Sequence, residues 1–270
     1  MTVFALALAL IIGIAVGVIM GLTGAGGGML AVPALVYSQA WTMQQAMPVA
    51  LLAVSLGALI GAIDGFRRRQ VRYKAATLMA LVGAPMTSLG VWVAKQMSQR
   101  ALMLAFSVVL LVVAVRLISQ VRRSQSASLL ENAHAVAKLN LSTGRFHWDL
   151  KTASVISVIG ACAGFFTGLL GVGGGFIIVP LLRYFSNLSM QSAAATSLMV
   201  ISLVGSVAVV SAVSHGVNLP LTFSIFFALS SVAGVLLGRR IANYLPSDVV
   251  QMIFAGLLLC VAISFLYRAV

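Results

Sequence analysis

Apolar runs of about twenty residues recur along nearly the whole chain, and they constrain its fold more than any other feature. About 20 apolar helical residues cross the hydrocarbon core of a bilayer. Lipid offers no partner to unpaired backbone groups, so only helices and closed barrels span it. Of the 270 residues, 8% are charged, against roughly 25% in soluble domains. The sequence therefore predicts an all-α, polytopic integral membrane protein without a separate soluble catalytic domain.

The hydropathy pattern predicts eight transmembrane helices and two shorter apolar segments. The helices are predicted over residues 2–21, 43–64, 74–94, 100–119, 152–170, 191–213, 220–240 and 248–268. The shorter segments, about 28–40 and 175–186, each follow a run of glycines and contain Pro33 or Pro180. Because proline removes a helical hydrogen bond and clashes with the preceding turn, we expect it to break each segment. The two segments are therefore predicted to be half-helices or re-entrant segments.

A long polar stretch, SQVRRSQSASLLENAHAVAKLNLSTGRFHWDLK, divides the chain into two similar halves. We predict a first transmembrane repeat over 1–119, a polar cytoplasmic linker over 120–151 and a second repeat over 152–270. A shift of 147 positions superposes GLTGAGGGMLAVP, which begins at Gly21, on GLLGVGGGFIIVP, which begins at Gly168. Duplicated halves of this kind are typical of membrane transporters.

The path of the short segment after each glycine run determines how the two halves are oriented. If the segment returns to its own side, the halves are parallel and the 17 Lys and Arg residues divide 12 to 5 between the two sides. If it crosses, the halves are inverted and the same 17 residues divide 14 to 3. Cations collect on the cytoplasmic side of membrane proteins. The sharper division favours the inverted arrangement, and the parallel one stays open.

The two glycine runs are the candidate binding site. Irregular backbone at membrane depth is tolerated only where it is buried in protein or lines a cavity. Where one helix ends and another begins, free amides and the positive end of a helix dipole can bind an anion without a cationic side chain. The alternative is that the glycines only let helices pack closely. The candidate binding residues are Thr23, Gly24, Gly26, Gly27, Gly28, Gly171, Gly173, Gly174, Gly175, Thr196 and Ser197.

Several polar residues near the predicted helix ends have two interpretations. Thr196 and Ser197 could line the same cavity as the glycines, or their hydroxyls could bond to carbonyls of their own helix. Glutamines at the starts of two helices, and His215 at a loop edge, are interpreted as interfacial residues. Cys162 and Cys260 lie in apolar segments without neighbouring ligands, so neither a disulfide nor a metal site is predicted.

The motifs together resemble those of the sulfite exporter TauE/SafE family, also called the 4-toluene sulfonate uptake permease family. The resemblance rests on the doubled G-x-x-G-x-G-G-G with its downstream proline, on AATSL from Ala194 and on HGV from His215. It implies a multi-pass transporter in the bacterial inner membrane for small anionic sulfur compounds such as sulfite or organosulfonates. No cofactor is implied. The first half departs from the second at residues 48–50, which stand opposite 195–197, so polar contributions to the site are expected mostly from the second half.

Acidic residues are nearly absent from the predicted spans, and this bears on the mechanism. Proton- and sodium-driven transporters place carboxylates within the membrane, whereas Asp64 alone comes close here and has Arg67 and Arg68 nearby to pair with. We expect electrogenic or facilitated anion export driven by the membrane potential. The alternatives are a transporter or channel for another small anion, a membrane scaffold and an intramembrane enzyme. The net charge of +13 follows from the positive-inside rule, so no nucleic acid is predicted as a partner.

Overall fold

The computed structural model describes residues 3–123, 149–217, 220–242 and 244–269, and it confirms an all-α polytopic fold. All eight long helices predicted from the sequence are present, each ending within a few residues of its predicted bounds. The helices of the described ranges are α1 Val3–Thr23, α2 Ala31–Gln39, α3 Met43–Arg67, α4 Tyr73–Gln96, α5 Gln99–Arg123, α6 Leu150–Leu170, α7 Gly175–Phe185, α8 Met190–Ser214, α9 Leu221–Ala242 and α10 Ser247–Ala269. Seven of them are long and apolar enough to cross a membrane, by length and composition. Most of the predicted linker lies outside the described residues.

The two glycine runs fold differently. The first forms a 3-10 helix, Gly24–Leu30, that joins α1 directly to α2. The second forms an irregular four-residue link between α6 and α7, in which Gly171, Gly173 and Gly174 have φ of 74, 79 and 63°. Glycine reaches these left-handed conformations without the steric penalty that a β carbon would bring. The chain therefore turns from α6 into α7 through glycine residues.

The expectation that proline breaks the short segments was wrong. Helix α7 continues through Pro180 as far as Phe185. Pro33 lies in the first turn of α2, where a proline has no helical hydrogen bond to lose. Proline inside a membrane helix is tolerated because neighbouring helices and local adjustments satisfy the freed carbonyl. Both proline segments are thus short, uninterrupted helices.

The helices of the two halves pack against one another across the molecule. Helix α1 lies along α9, and α4 lies along α6. Small residues line both contacts: a β carbon on Gly17 would meet the Ser231 carbonyl, and one on Gly164 would meet the Gly83 carbonyl. Such small residues let helix backbones approach closely within a membrane. Helix α5 packs on α10, while α3 packs on α8 at the centre. Of the seven candidate spans, these last two are the most deeply buried.

Helices α1 and α3 run in the same direction as α9. Along each of them, residues of increasing number meet residues of increasing number on α9. The pairs are Gly13 with Ser230 and Gly21 with Gly238 for α1, and Gly57 with Val235 and Gly61 with Arg239 for α3. Because α1 and α3 are parallel, the 3-10 helix and α2 must carry the chain back to the side on which α1 began. The short segment of the first half therefore crosses the bundle and does not return to the side on which α1 ended.

Helices α4, α6 and α8 run in the opposite direction to α3. Helix α3 is antiparallel to α8, while α4 is parallel to α6 and to α8. The pairs are Ser55 with Gly205, Gly61 with Leu198 and Gly65 with Ala195 for α3 and α8, Gly83 with Gly160 and Gly90 with Gly168 for α4 and α6, and Gly83 with Val204 and Lys95 with His215 for α4 and α8. Since α1 is parallel to α3, and α6 is antiparallel to it, the two halves are inverted. This is the arrangement that the division of basic residues favoured.

The charged residues of the described ranges now separate into two ends of the bundle. One end, called the basic end below, holds the α3–α4 turn and the C-terminus of α9, with Arg67, Arg68, Arg69, Arg72, Lys74, Arg239 and Arg240. The other, called the opposite end, holds Lys95, Arg100 and Arg268. The positive-inside rule assigns the basic end to the cytoplasm.

This orientation predicts which single cysteines are accessible from outside a cell. In a variant carrying Cys162→Ala and Cys260→Ala, a membrane-impermeant maleimide should label Ser214→Cys in intact cells. Tyr244→Cys, at the basic end, should be labelled only after permeabilisation. Both positions are exposed, so a difference would report sidedness and not burial. Labelling of Tyr244→Cys in intact cells, with Ser214→Cys protected, would contradict the orientation.

Candidate functional site

The two glycine segments meet halfway along the contact between α3 and α8. A β carbon on Gly28 would lie 3.0 Å from Cγ1 of Val54 and 3.3 Å from the carbonyl oxygen of Val172. A β carbon on Gly173 would lie 3.0 Å from Cγ1 of Val54 and 3.0 Å from Cγ2 of Ile201. Val54 and Ile201 are equivalent residues of the two repeats. Gly28, Gly173, Val54 and Ile201 form what we call the glycine junction.

The second glycine segment presents a run of unpaired backbone amides. The carbonyl of Gly174 accepts the amides of Ile177 and Ile178 at 3.0 and 3.1 Å, which closes the first turn of α7. Among the hydrogen bonds of the described residues, none takes an amide of residues 172–176 as its donor. Successive backbone amides in a turn can form an anion-binding concavity. We call residues 172–176 the amide nest. The helix dipole of α7 adds positive potential there.

The first glycine segment contributes less free backbone. Within its 3-10 helix the amides bond to carbonyls three residues earlier, and the amide of Ala31 bonds to the carbonyl of Gly28. Gly24 has a φ of 73°, and a β carbon there would meet nothing within 4 Å. The predicted pair of equivalent helix breaks is therefore asymmetric in this structure. Gly26 and Gly27, like the rest of this copy, stay predicted binding residues.

The three predicted hydroxyl residues bond within their own helices. Thr23 donates to the carbonyl of Ile19 at 2.8 Å, Thr196 to that of Ser192 at 2.7 Å and Ser197 to that of Ala194 at 2.8 Å. This is the alternative considered for Thr196 and Ser197. Thr196 precedes Ile201 of the glycine junction by five residues of α8. Because a helix rises about 1.5 Å per residue, Thr196 lies about 7.5 Å from Ile201 along the helix axis, on the side of the basic end. Each of these hydroxyls donates its proton within its own helix, and the three residues stay predicted binding residues.

A narrow crevice with a cavity volume of about 30 Å³ opens at the opposite end between α3, α4 and α8. Its walls are mainly apolar, with two polar side chains. The lining includes Gln44, Met47, Leu51, Val91, Lys95 and Ala212. The side chain of Met47 contacts Gly171, the first residue of the irregular link. One wall of the crevice therefore contacts the second glycine segment.

The sequence interpretation missed Lys95 altogether and treated Gln44 as an ordinary interfacial residue. The ammonium of Lys95 donates to the carbonyl of His215, across the mouth of the crevice. The amide nitrogen of Gln44 donates to the carbonyl of Met97 at 3.2 Å. Lysines are common at the ends of transmembrane helices. Nothing in the sequence therefore distinguished Lys95 from an ordinary interfacial lysine.

At the basic end an ion pair lies at the position that corresponds to the crevice. With the one-residue offset between the repeats, Val91 in the crevice corresponds to Arg239. The guanidinium of Arg239 lies 3.4 Å from Asp64, which also pairs with Arg68 at 3.2 Å. The predicted pairing of Asp64 with a neighbouring arginine is thus seen for Arg68. Arg239 lies 175 residues after Asp64 in the chain, so only the fold reveals that these two residues pair.

A second polar contact accompanies this ion pair. The amide of Gln70 donates to the side-chain oxygen of Gln191 at 3.3 Å, and the backbone amide of Arg72 donates to the hydroxyl of Thr196 at 3.0 Å. Both bonds join the α3–α4 turn to the start of α8. These contacts join the two repeats at the basic end, as the bond from Lys95 to His215 joins them at the opposite end.

Inverted repeats and short helices that begin near the middle of the bundle are features of multi-pass membrane transporters. The model of the family described as sulfite exporter TauE/SafE matches residues 9–265. The chain belongs to this family.

Curated relatives carry names of the same kind. A probable membrane transporter protein of Xylella fastidiosa (strain Temecula1) is 27% identical over 257 residues, covering 94% of this chain and 92% of that one. The probable membrane transporter protein YunE of Bacillus subtilis is 24% identical over 276 residues, covering 96% and 97%. The probable membrane transporter protein MamO of Magnetospirillum gryphiswaldense is 35% identical over 117 residues, covering 41% of this chain and 18% of MamO. No solved structure matches.

Proposed function

We propose that the protein exports small anionic sulfur compounds, such as sulfite or organosulfonates, and that the amide nest holds the anion. The observation that carries this proposal is the run of free amides over residues 172–176 beside the glycine junction. The family name supports the sulfur compounds as the substrate class. The predicted binding residues of the first glycine segment would face the same anion from the basic end.

Backbone amides suit this task better than cationic side chains would. An ionised side chain in the middle of a bilayer is costly, and no Lys or Arg is among the residues that contact the glycine junction in the described ranges. Amides carry only partial charges, so they bind an anion without holding a permanent charge when it leaves. A sulfite or sulfonate group presents three oxygens, which several converging amides can share.

In this proposal the two ends of the bundle open to the substrate alternately. In this structure a narrow crevice enters the opposite end, and Asp64 with Arg239 and Gln70 with Gln191 join the two repeats at the basic end. Passage to the basic end requires these contacts between the repeats to separate. Rocking of one repeat against the other is the usual motion of inverted-repeat transporters.

The described carboxylates support a mechanism driven by the membrane potential. Asp64, Asp149 and Asp248 all lie at the ends of helices on the basic side. None is beside the glycine junction, where a proton- or sodium-coupled transporter would need one. A potential that is negative inside expels each anionic charge with about 2.3 kcal/mol per 100 mV.

The test is flux from proteoliposomes with an imposed potassium-valinomycin potential. A potential of 100 mV, negative on the side of the basic end, should change the equilibrium distribution of a singly charged sulfonate by roughly 50-fold, which is that energy expressed as a ratio. Sulfite, thiosulfate, sulfate and phosphate measured in parallel define the substrate class. Flux that ignores the potential and follows a pH gradient would refute the potential-driven mechanism. Preference for phosphate over every sulfur anion would refute the proposed substrate.

A further inference from the structure

Lys95 is the cationic side chain of the open crevice. It is exposed, lines the crevice and is held over the mouth by its bond to the carbonyl of His215. A carbonyl carries no net charge, so this bond positions the ammonium without neutralising it. Every carboxylate in the described ranges belongs to the basic end. Lys95 therefore has no described acidic neighbour at its own end.

The surroundings strengthen the attraction of this cation for an anion. The other lining residues are apolar except for Gln44. A cleft with one sign of charge and walls of low dielectric constant focuses its field and raises the local concentration of the opposite charge. The free face of the Lys95 ammonium has donors left for an oxyanion, because an ammonium carries three.

Arg239 at the basic end provides a contrast with Lys95. The guanidinium of Arg239 occupies the position that corresponds to Val91 of the crevice lining, and it pairs with Asp64. The described bond of Lys95 goes to the uncharged carbonyl of His215. Lys95 is therefore a cation of the crevice that no described acid neutralises.

The crevice also brings Lys95 near the second glycine segment. Gly168, at the end of α6, lines the crevice, and Met47 of its wall contacts Gly171. An anion that leaves the nest toward the opposite end would pass these residues. Lys95 lines the same crevice and is exposed.

We propose that Lys95 forms an outward-facing anion-binding site, in which its ammonium binds the oxyanion group of the substrate between the amide nest and the external solution. This inference rests on the proposed function and adds a second, cationic site to it. The ligand class is a small oxyanion with one or two negative charges. The site would lower the energy of the anion at the end of the crevice and favour anions over neutral solutes.

The experiment compares Lys95→Gln, Lys95→Arg and Arg100→Gln in proteoliposomes, with sulfite applied at the opposite end. Lys95→Gln should raise the KM about tenfold while leaving the maximal rate within about twofold, because the amide nest is intact. Lys95→Arg should restore a nearly normal KM. Arg100→Gln is the matched control, since it removes a cation from the same end without touching the crevice lining. Increasing salt should narrow the difference between wild type and Lys95→Gln.

The outcomes separate this inference from the proposed function. Sulfite flux with an unchanged KM in Lys95→Gln, or an equal rise in Arg100→Gln, would overturn the Lys95 site while leaving the function in place. An absence of flux and of calorimetric binding for every anion tested with the wild-type protein would overturn both. Calorimetric titration of the purified variants with sulfite, together with their melting temperatures, shows that a raised KM does not come from unfolding.

Discussion

Gly173→Ala should reduce anion flux about tenfold or more while the protein still inserts and folds. Gly173 has a φ of 79°, and left-handed backbone costs an alanine about 1–2 kcal/mol. Its β carbon would lie 3.0 Å from the ends of the Val54 and Ile201 side chains, which can shift slightly. The structure can therefore accept the methyl group, but the amides around residue 173 would turn away from their present geometry. Since the proposed site consists of those amides, flux should fall more than stability.

The matched control for this variant is Gly256→Ala. Gly256 is exposed in α10, and a β carbon there would meet nothing within 4 Å. Alanine is also the better helix former by about 1 kcal/mol. We expect wild-type flux from Gly256→Ala and a melting temperature for Gly173→Ala only a few degrees lower. Wild-type flux from a folded Gly173→Ala protein would argue against the amide nest as the anion site.

Gly164→Leu should abolish folded protein. Gly164 of α6 faces Gly83 of α4, and a β carbon there would lie 2.7 Å from the Cα of Gly83 and closer still to its carbonyl oxygen. These are backbone atoms, so no side chain can move aside. The two helices would have to separate, and the dispersion contacts between them would be lost. Overpacking of a well-packed site commonly costs about 1–3 kcal/mol, and this site exceeds the usual case because the obstacle is backbone.

Gly256→Leu is the control for the size and hydrophobicity of the new side chain. It places the same leucine in a long apolar helix where the space around the glycine is open. The measurement is the yield of monodisperse protein after detergent extraction, followed by thermal unfolding. We expect a normal yield for Gly256→Leu and aggregation or loss for Gly164→Leu. Equal yields and melting temperatures would show that α4 and α6 are not packed as described.

The fold was largely predictable because hydropathy reports directly on the membrane. In lipid, an apolar segment such as residues 191–213 must satisfy its own backbone hydrogen bonds, which favours a helix. The structure has α8 there, at Met190–Ser214. The proline expectation failed for a reason that is also physical. The expectation that proline breaks a helix comes from helices in water. Pro180 instead lies in a helix of a membrane bundle, where neighbouring helices can satisfy the backbone groups that a proline leaves free.

The candidate site was less predictable. The sequence drew attention to both glycine runs, but it treated them as equal, whereas one forms a 3-10 helix and the other an irregular link with free amides. Lys95 and Arg239 were not singled out as site residues, since nothing near either of them in sequence distinguishes it from an ordinary interfacial cation. Their different surroundings depend on partners from other helices, such as Asp64 for Arg239.

The sequence by itself determined the number and position of the long helices, the duplication and the two glycine segments. These properties follow from local composition, because each span must satisfy its own backbone in lipid. Tertiary structure decided between the inverted and the parallel arrangement, brought the glycine segments together at Val54, and paired Arg239 with Asp64. Those features arise from contacts between residues far apart in the chain, whose energies depend on packing geometry that no single segment contains.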